Sequence, residues 1–403
     1  MTDYAQINPG KHHLGYRFPT PALADNLPMH VEDEHKVELK YKSAVVIGRT
    51  LYVGNVQVFN RSQGTIRVEA DAMYKSIVNQ FDSFADYSKI EAAINDGEDI
   101  TALSKVGNKI LQFKTNTLYI INVSGSIEIL EGTHKHKGVN NPAAVCETDY
   151  GVAWANENGC YLYNGKTITD LLEKNALQKV KESDWESFIF NPMVGYFPRK
   201  RQIIVVDDYS TSGDGTCYLY DLVTTSWTKS SAAKFQDAIK SNFQNDRNGN
   251  LIYGTPDGTD TDATAIKQWS DTSVSTSNLS LITKDIDFGQ PSVRKKIYRV
   301  RISYKGVADN LVIKYSINGN TASPYDFEGT DSTTGKPTGS TASSSKPLHA
   351  KTDVTTWHHA ELKPDVSSEA NNAYSFQLHM TGEVNGNFEV NDISVVYRVK
   401  NIK

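Results

Sequence analysis

The sequence predicts an all-β chain. It reads as a β-propeller of about five or six irregular blades over residues 43–278, followed by a jelly-roll-like β-sandwich over residues 279–403. An extended arm covers residues 1–42. Three observations predict this. A hairpin unit recurs in variant forms along the first part, strict apolar–polar alternation takes over in the second, and helical periodicity is scarce throughout. The best helical candidates, both short, are 168–180 and 232–239.

Composition sets the limits. The chain has 403 residues, 38% hydrophobic and 22% charged, enough to bury two cores. A net charge of -5 argues against a general nucleic-acid binder, while leaving room for a local basic patch. The 21 tyrosines and 27 glycines suit turn-rich β-structure. Cys146, Cys160 and Cys217 are an odd set without C-x-x-C spacing, so neither a disulfide framework nor a zinc site follows. They read as reduced core residues in a reducing compartment. Residues 1–20 carry no apolar h-region, and runs such as 44–47 and 203–206 are too short to span a bilayer.

Residues 1–42 are polar and punctuated by proline, hence the arm. Its histidines (His12, His13, His30, His35) lack paired ligand spacing and read as solvated. The hairpin unit is clearest in "GVAWANENGCYLYNGKTITDLLEK" (151–174). Strand 151–155 meets a polar turn at 156–159, strand 160–163 follows, and Asn164-Gly165 makes a tight turn. Variants occupy 42–60, 106–130, 200–229 and 245–270. Each carries a Leu-Tyr or Ile-Tyr step, beginning at Leu51, Leu118, Leu162, Leu219 and Ile252. A loose period near 40–50 residues is that of a four-stranded blade. A blade has two apolar faces and cannot bury either alone, so packing blades in a ring covers both. The 151–174 hairpin is expected to be the outer half of one blade.

Beyond 279 the pattern changes. Tyr298, Val300, Ile302 and Tyr304 are expected on one face of a strand, with Arg299, Arg301 and Ser303 on the other. Leu311, Ile313, Tyr315 and Ile317 alternate likewise. So do Phe376, Leu378 and Met380, and Ile393, Val395, Tyr397 and Val399. Half-buried antiparallel strands of this kind make a sandwich. Between them, the Ser/Thr/Gly/Pro-rich stretch 319–347 is expected to be a flexible surface loop.

Motifs that carry chemistry are sparse. "STSGDGTCYLY" (210–220) partly matches an Asp-box, with Thr216 where glycine belongs, and reads as a structural turn. Asp257, Asp260 and Asp262 cluster without EF-hand spacing, which favours a solvated acidic turn over a calcium site. His134 and His136 would share a strand face, but Lys135 and Lys137 flank them and favour an exposed basic loop. His358 and His359 are adjacent and point opposite ways. Asp207, Asp208, Asp246 and Glu186 are available as glycosidase-type carboxylates, which need to stand about 5–10 Å apart, and nothing in the sequence pairs them. No nucleophile elbow, P-loop or zincin motif occurs. The expectation is therefore no enzyme, no cofactor and no metal. Trp154, Trp185, Trp227 and Trp357 are candidates for sugar stacking, with core packing favoured. "SVRKKIYRVR" (292–301) gathers Arg294, Lys295, Lys296, Arg299 and Arg301. A solvated strand face is the favoured reading, and an interface with a neighbouring subunit or with DNA phosphates the alternative. No aromatics interleave for base stacking.

Residues 73–125, "MYKSIVNQFDSFADYSKIEAAINDGEDITALSKVGNKILQFKTNTLYIINVSG", resemble the propeller of tail nozzle and tail-hub proteins of short-tailed bacteriophages. The shared features are an S-x-x-x-x-F-D-x-F-like turn, a D-G-x-x-I-x-A/G-L strand, a g-n-k-L-x-x-F-K strand and a t-x-x-L-Y-x-I strand. Residues 151–174 resemble the recurring G-v-x-W-a-s-x-x-G-x-y-x-y-d-G hairpin of that family. "DFGQPSVRKKIYRVRISYKG" (287–306) resembles the first strands of its downstream β-domain. The resemblance implies a structural virion protein forming a ring, usually hexameric, that continues the DNA ejection channel. It implies self-association, contact with tail adaptor or portal-proximal proteins and tail fibres, transient passage of DNA, and no membrane partner. It places the chain in a virion tail assembled in the bacterial host cytoplasm. The chain is shorter than many members of the family. The competing reading is a glycan- or receptor-binding propeller module.

Overall fold

The structure, a computed structural model, describes residues 5–6, 37–60, 65–92, 96–174, 177–208, 216–230, 240–257, 260–269, 277–308, 310–330, 337–341, 348, 354–365, 368–385 and 387–400. The chain forms two compact units, residues 1–269 and 270–403. The expected boundary at 278/279 lies a few residues later. The segment just before it, 277–282, is already a strand paired within the second unit. The arm is shorter than expected, because residues 37–42 belong to a strand; most of it lies outside the described residues.

The first unit is a propeller-type array of five successive antiparallel sheets. Sheet one comprises β1 (Ala5–Gln6), β2 (Val37–Ile47), β3 (Thr50–Asn60), β4 (Thr65–Ile77) and β5 (Gln80–Ile90). Sheet two is β6 (Ile100–Val106), β7 (Lys109–Lys114), β8 (Thr117–Asn122) and β9 (Ile129–Lys135). Sheet three is β10 (Val145–Thr148), β11 (Gly151–Asn156), β12 (Gly159–Tyr163) and β13 (Ile168–Asp170). A small pair, β14 (Glu173–Lys174) and β15 (Leu177–Gln178), and helix α1 (Glu182–Phe188) lead to sheet four. That sheet holds β16 (Met193–Phe197), β17 (Gln202–Val206), β18 (Cys217–Asp221) and β19 (Ser226–Ser230). Sheet five has β20 (Gln244–Asn245), β21 (Leu251–Asp257) and β22 (Asp260–Gln268).

Every sheet is a meander of sequence neighbours, as turn chemistry between short apolar strands dictates. Each of the five Leu/Ile-Tyr steps falls in a different sheet, in β3, β8, β12, β18 and β21. Burial explains the array. One core cluster joins Val45, Tyr52 and Met73 of sheet one to Ile100, Ile110 and Ile121 of sheet two. Another joins Leu111, Phe113 and Leu118 to Trp154, Tyr161 and Tyr163 of sheet three. A third joins Ala153, Ala155 and Cys160 to Tyr196, Ile203 and Tyr218 of sheet four. The fourth carries Ile204 and Val206 onto Leu251 and Tyr253 of sheet five and onto Phe243 just before it. Each sheet therefore buries the neighbour's face, and none could keep its apolar side dry alone.

The 151–174 hairpin has the predicted strands, with Trp154 opposite Tyr161. It is the middle pair of sheet three and not the outer half, because β10 precedes it and β13 follows it in the sheet. Asn156 holds its turn: the amide oxygen accepts from Asn158 and Gly159 N–H, and the amide nitrogen donates to the Gly138 carbonyl at 2.8 Å. Gly151 is required at the start. Its φ is +131°, and a Cβ there would lie 2.0 Å from the Tyr163 carbonyl oxygen. The helical candidate at 168–180 is wrong. Those residues hold β13, β14 and β15, and the helix begins at Glu182. Its Trp185 is buried and donates to the Asn156 carbonyl. The candidate at 232–239 and most of the Asp-box stretch lie outside the described residues.

The second unit is the sandwich. One sheet has the order β23 (Ser277–Ile282), β30 (Phe376–Val384), β25 (Asn310–Ile317), β26 (Tyr325–Asp326). The other has β29 (His358–Leu362), β24 (Lys295–Lys305), β31 (Glu389–Val399). A short pair, β27 (Glu328–Thr330) and β28 (Pro337–Thr341), stands beside them. One core fills the space between, with Val300, Ile302 and Tyr304 facing Leu311, Ile313, Tyr315, Phe376, Leu378 and Met380. Those inward faces are as predicted, with one exception in β24. A bulge between Ile297 and Arg299 inserts an extra residue, so Ile297 turns inward and Tyr298 does not. In β31, Ile393 and Val395 pack on the core, whereas Tyr397 and Val399 lie outside it, with Tyr397 against the Phe288 ring.

The 319–347 stretch is not wholly a surface excursion. Tyr325–Asp326 pairs with β25, and Phe327 is fully buried 4.8 Å from the Tyr315 ring.

Candidate functional site

The basic run, read as a solvated strand face with an interface as the alternative, lies at and along β24, and the structure separates its members. Lys295 is fully buried. Its ammonium donates to the Gln290 and Tyr374 carbonyls, tying two loops to the start of the strand. It cannot be an interface residue. The reason is register: Lys295 sits on the inward parity of β24, opposite Val399. Arg294 donates from Nε to the Tyr374 hydroxyl at 2.9 Å. Lys296 lies over the Tyr298 ring at 5.2 Å.

Arg299 and Arg301 do face outward. Strand pairing sets Arg301 opposite Glu361 of β29 and Ser394 of β31, and Ser303 opposite His359 and Asp392. The Arg299 guanidinium meets Glu361 at 2.7 Å and that of Arg301 meets the other carboxylate oxygen at 3.3 Å. Next along, Ser303 Oγ and His359 Nδ1 are 2.8 Å apart. Lys305 pairs with Glu389 at 2.9 Å and lies 5.3 Å from the Trp357 ring centroid. On this stretch of the outer face Arg299, Arg301 and Lys305 are already engaged by carboxylates. Phosphate binding needs unopposed cations, so the face suits a charge-matched protein surface better than a nucleic-acid backbone. Sequence reading missed Glu361, Glu389 and Trp357 as members of this face. The alternation in "HHAEL", which puts His359 and Glu361 on one side, was the available signal.

The other candidates disperse. His134 is in β9, but His136 follows the strand with φ +62°, so the two do not share a strand face. Burial lowers the His134 pKa, with the Lys137 charge adding to it. Lys137 is held 3.6 Å from the Tyr161 ring centroid. Asp246 caps its own turn, accepting from Asn248 and Asn250 N–H. The backbones of Asp257, Asp260 and Asp262 form the β21–β22 hairpin. Among the described residues, no three His, Cys, Asp or Glu side chains are grouped to hold a metal. Trp154 and Trp185 are core residues, Trp227 packs on the core and donates to the Leu171 carbonyl, and Trp357 is 45% exposed. The Cys146 thiol is pushed up to about 12 by burial, and burial raises Cys160 as well, so neither is a thiolate near neutrality. No described helix is long and apolar enough to cross a membrane.

No protein-family model matches the chain, and no curated protein matches it. Among solved structures, an exo-β-1,3-galactanase from Phanerochaete chrysosporium with galactose is similar at 9% identity and a TM-score of 0.28. That match covers 88% of this chain and 95% of that one. A variant of the same enzyme with β-1,3-galactotriose matches over the same shares at 9% identity and a TM-score of 0.27. A chain of a mitotic checkpoint complex matches at 11% identity and a TM-score of 0.30, covering 58% of this chain and 73% of that one. With an enzyme among these similar structures, the expectation that this chain is not an enzyme is withdrawn. The likeness assigns no residue here to a reaction.

Proposed function

We propose that this chain is a structural component of the tail of a short-tailed bacteriophage, repeated as a ring, hexameric as in the family it resembles. In this reading the ring continues the DNA ejection channel, meets adaptor or portal-proximal proteins and tail fibres, and assembles in the host cytoplasm. The observation that carries the proposal is the run of nozzle-like sequence at 73–125 and 151–174. These residues hold the end of β4, β5 to β8, and β11 to β14, so the resemblance touches three successive sheets and not one isolated turn. The ion-paired outer face of β24 and β29 supports subunit contact over phosphate contact. A glycan-binding module is the second reading, and Trp357 is the exposed aromatic that favours it. Quantitative mass spectrometry of purified particles separates the two. A ring component is present at a fixed ratio of about six copies, and in any case more than about three, per particle. Absence from particles, together with binding on a glycan array, would establish the second reading instead.

A further inference from the structure

The last strand of the sandwich sheet is an open edge. β31 is 11 residues long and pairs with β24 along one side; among the described residues no strand pairs with its other side. Exposed edges are normally guarded by proline, lysine, bulges or short length. From Ile393 to Val399 the strand has none of these, and Arg398 is its one charged residue. Val396, Tyr397 and Val399 are each 38–40% exposed.

The hydrogen-bonding parity of this edge can be read directly. Lys400 N–H, just past the strand, donates to the Arg294 carbonyl beside β24. Alternation then turns the even-numbered residues toward β24. Beyond the irregularity near Asn391, the N–H and C=O groups of Ile393, Val395, Tyr397 and Val399 point to the open edge. Two identical strands related by a two-fold axis pair antiparallel only when partners share a sheet face, so each residue meets one of its own parity. The register that centres on Val395 satisfies this. It sets Ile393 opposite Tyr397 and Ser394 opposite Val396. It also sets Asp392 opposite Arg398 of the second copy, twice per dimer. The two charges lie on the outer face at non-hydrogen-bonded positions, where side chains approach most closely. Ladder bonds at Val395, Ile393 and Tyr397 then fall on the groups that point outward.

We propose that β31 is a self-pairing edge: two copies of this chain join through antiparallel β31 strands in the Val395-centred register, forming one six-stranded sheet. The contact is isologous and stands apart from the ring reading, since a ring needs a head-to-tail surface.

The test is analytical ultracentrifugation of the full chain with a charge-swap cycle. Wild type sediments as an assembly containing dimers. Asp392→Arg and Arg398→Asp, each placing like charges opposite one another twice, weaken association by about tenfold or more. The double reversal restores it. Circular dichroism stays unchanged across the set, because both side chains are exposed. A wild-type chain that stays monomeric at high concentration overturns the proposal. So does association that the single reversals leave intact, or a double reversal that fails to rescue. A head-to-tail ring that persists in all variants would support the ring reading while removing this one.

Discussion

The imidazole of His379 is buried in the sandwich sheet, with Nε2 2.9 Å from the Ser316 hydroxyl, itself fully buried. Burial disfavours the charged ring and lowers its pKa below the ordinary 6.5. The sign follows from linkage. A group with a depressed folded pKa binds protons more readily when unfolded, so its stabilising contribution is complete above about 6.5 and is lost as pH falls through the folded value. His134 shifts in the same direction in the first unit. Urea midpoints should therefore hold level from about pH 8 to 7 and decline toward pH 5. His379→Gln should flatten part of that decline, and an unchanged slope in that variant would refute the assignment. The same scale shows where sequence reading was blind. Lys295 looks like its basic neighbours in "SVRKKIYRVR", and its complete burial depends on two carbonyls that the fold brings from Gln290 and Tyr374.

Elements were legible where the local signal and the packing agree. The hairpin at 151–174, with its Asn and Gly turns, and the inward faces of β25 and β30 follow period-two alternation directly. The bulge at Tyr298 was not legible, since one inserted residue leaves composition untouched and flips everything before it. The 168–180 helix failed because its apolar residues Leu171, Leu172 and Val180 pack across to sheet four from short strands and turns. The 319–347 stretch misled by composition: one aromatic run, Tyr325 to Phe327, docks amid serine and threonine. Tyr325 stacks on Tyr315 at 5.5 Å and Phe327 fills the core. Phe327→Ala should cost about 3–5 kcal/mol through lost burial and a cavity. A calorimetric scan should show the sandwich transition lowered by roughly 10 °C, while the other transition stays in place. A shift of less than about 2 °C would mean that the ring contributes little there.

At the scale of the whole molecule, each unit closes its own core. The array of five sheets is held by clusters that pass from one sheet to the next. The sandwich is held by one cluster between two sheets. The architecture was legible because recurring hairpins and strict alternation are properties of the strands themselves. The candidate site was only half legible. Arg299 and Arg301 do share a face, but the Glu361 that engages both comes from a strand 60 residues away, and strand partners are set by topology. On the proposed reading, this chain is a repeated part of a phage tail. The most direct measurement is averaged electron microscopy of purified particles in which this chain carries a compact tag. A ring component gives tag density repeated evenly around the tail axis below the portal. Particles without tag density, or with a single off-axis copy, would contradict it.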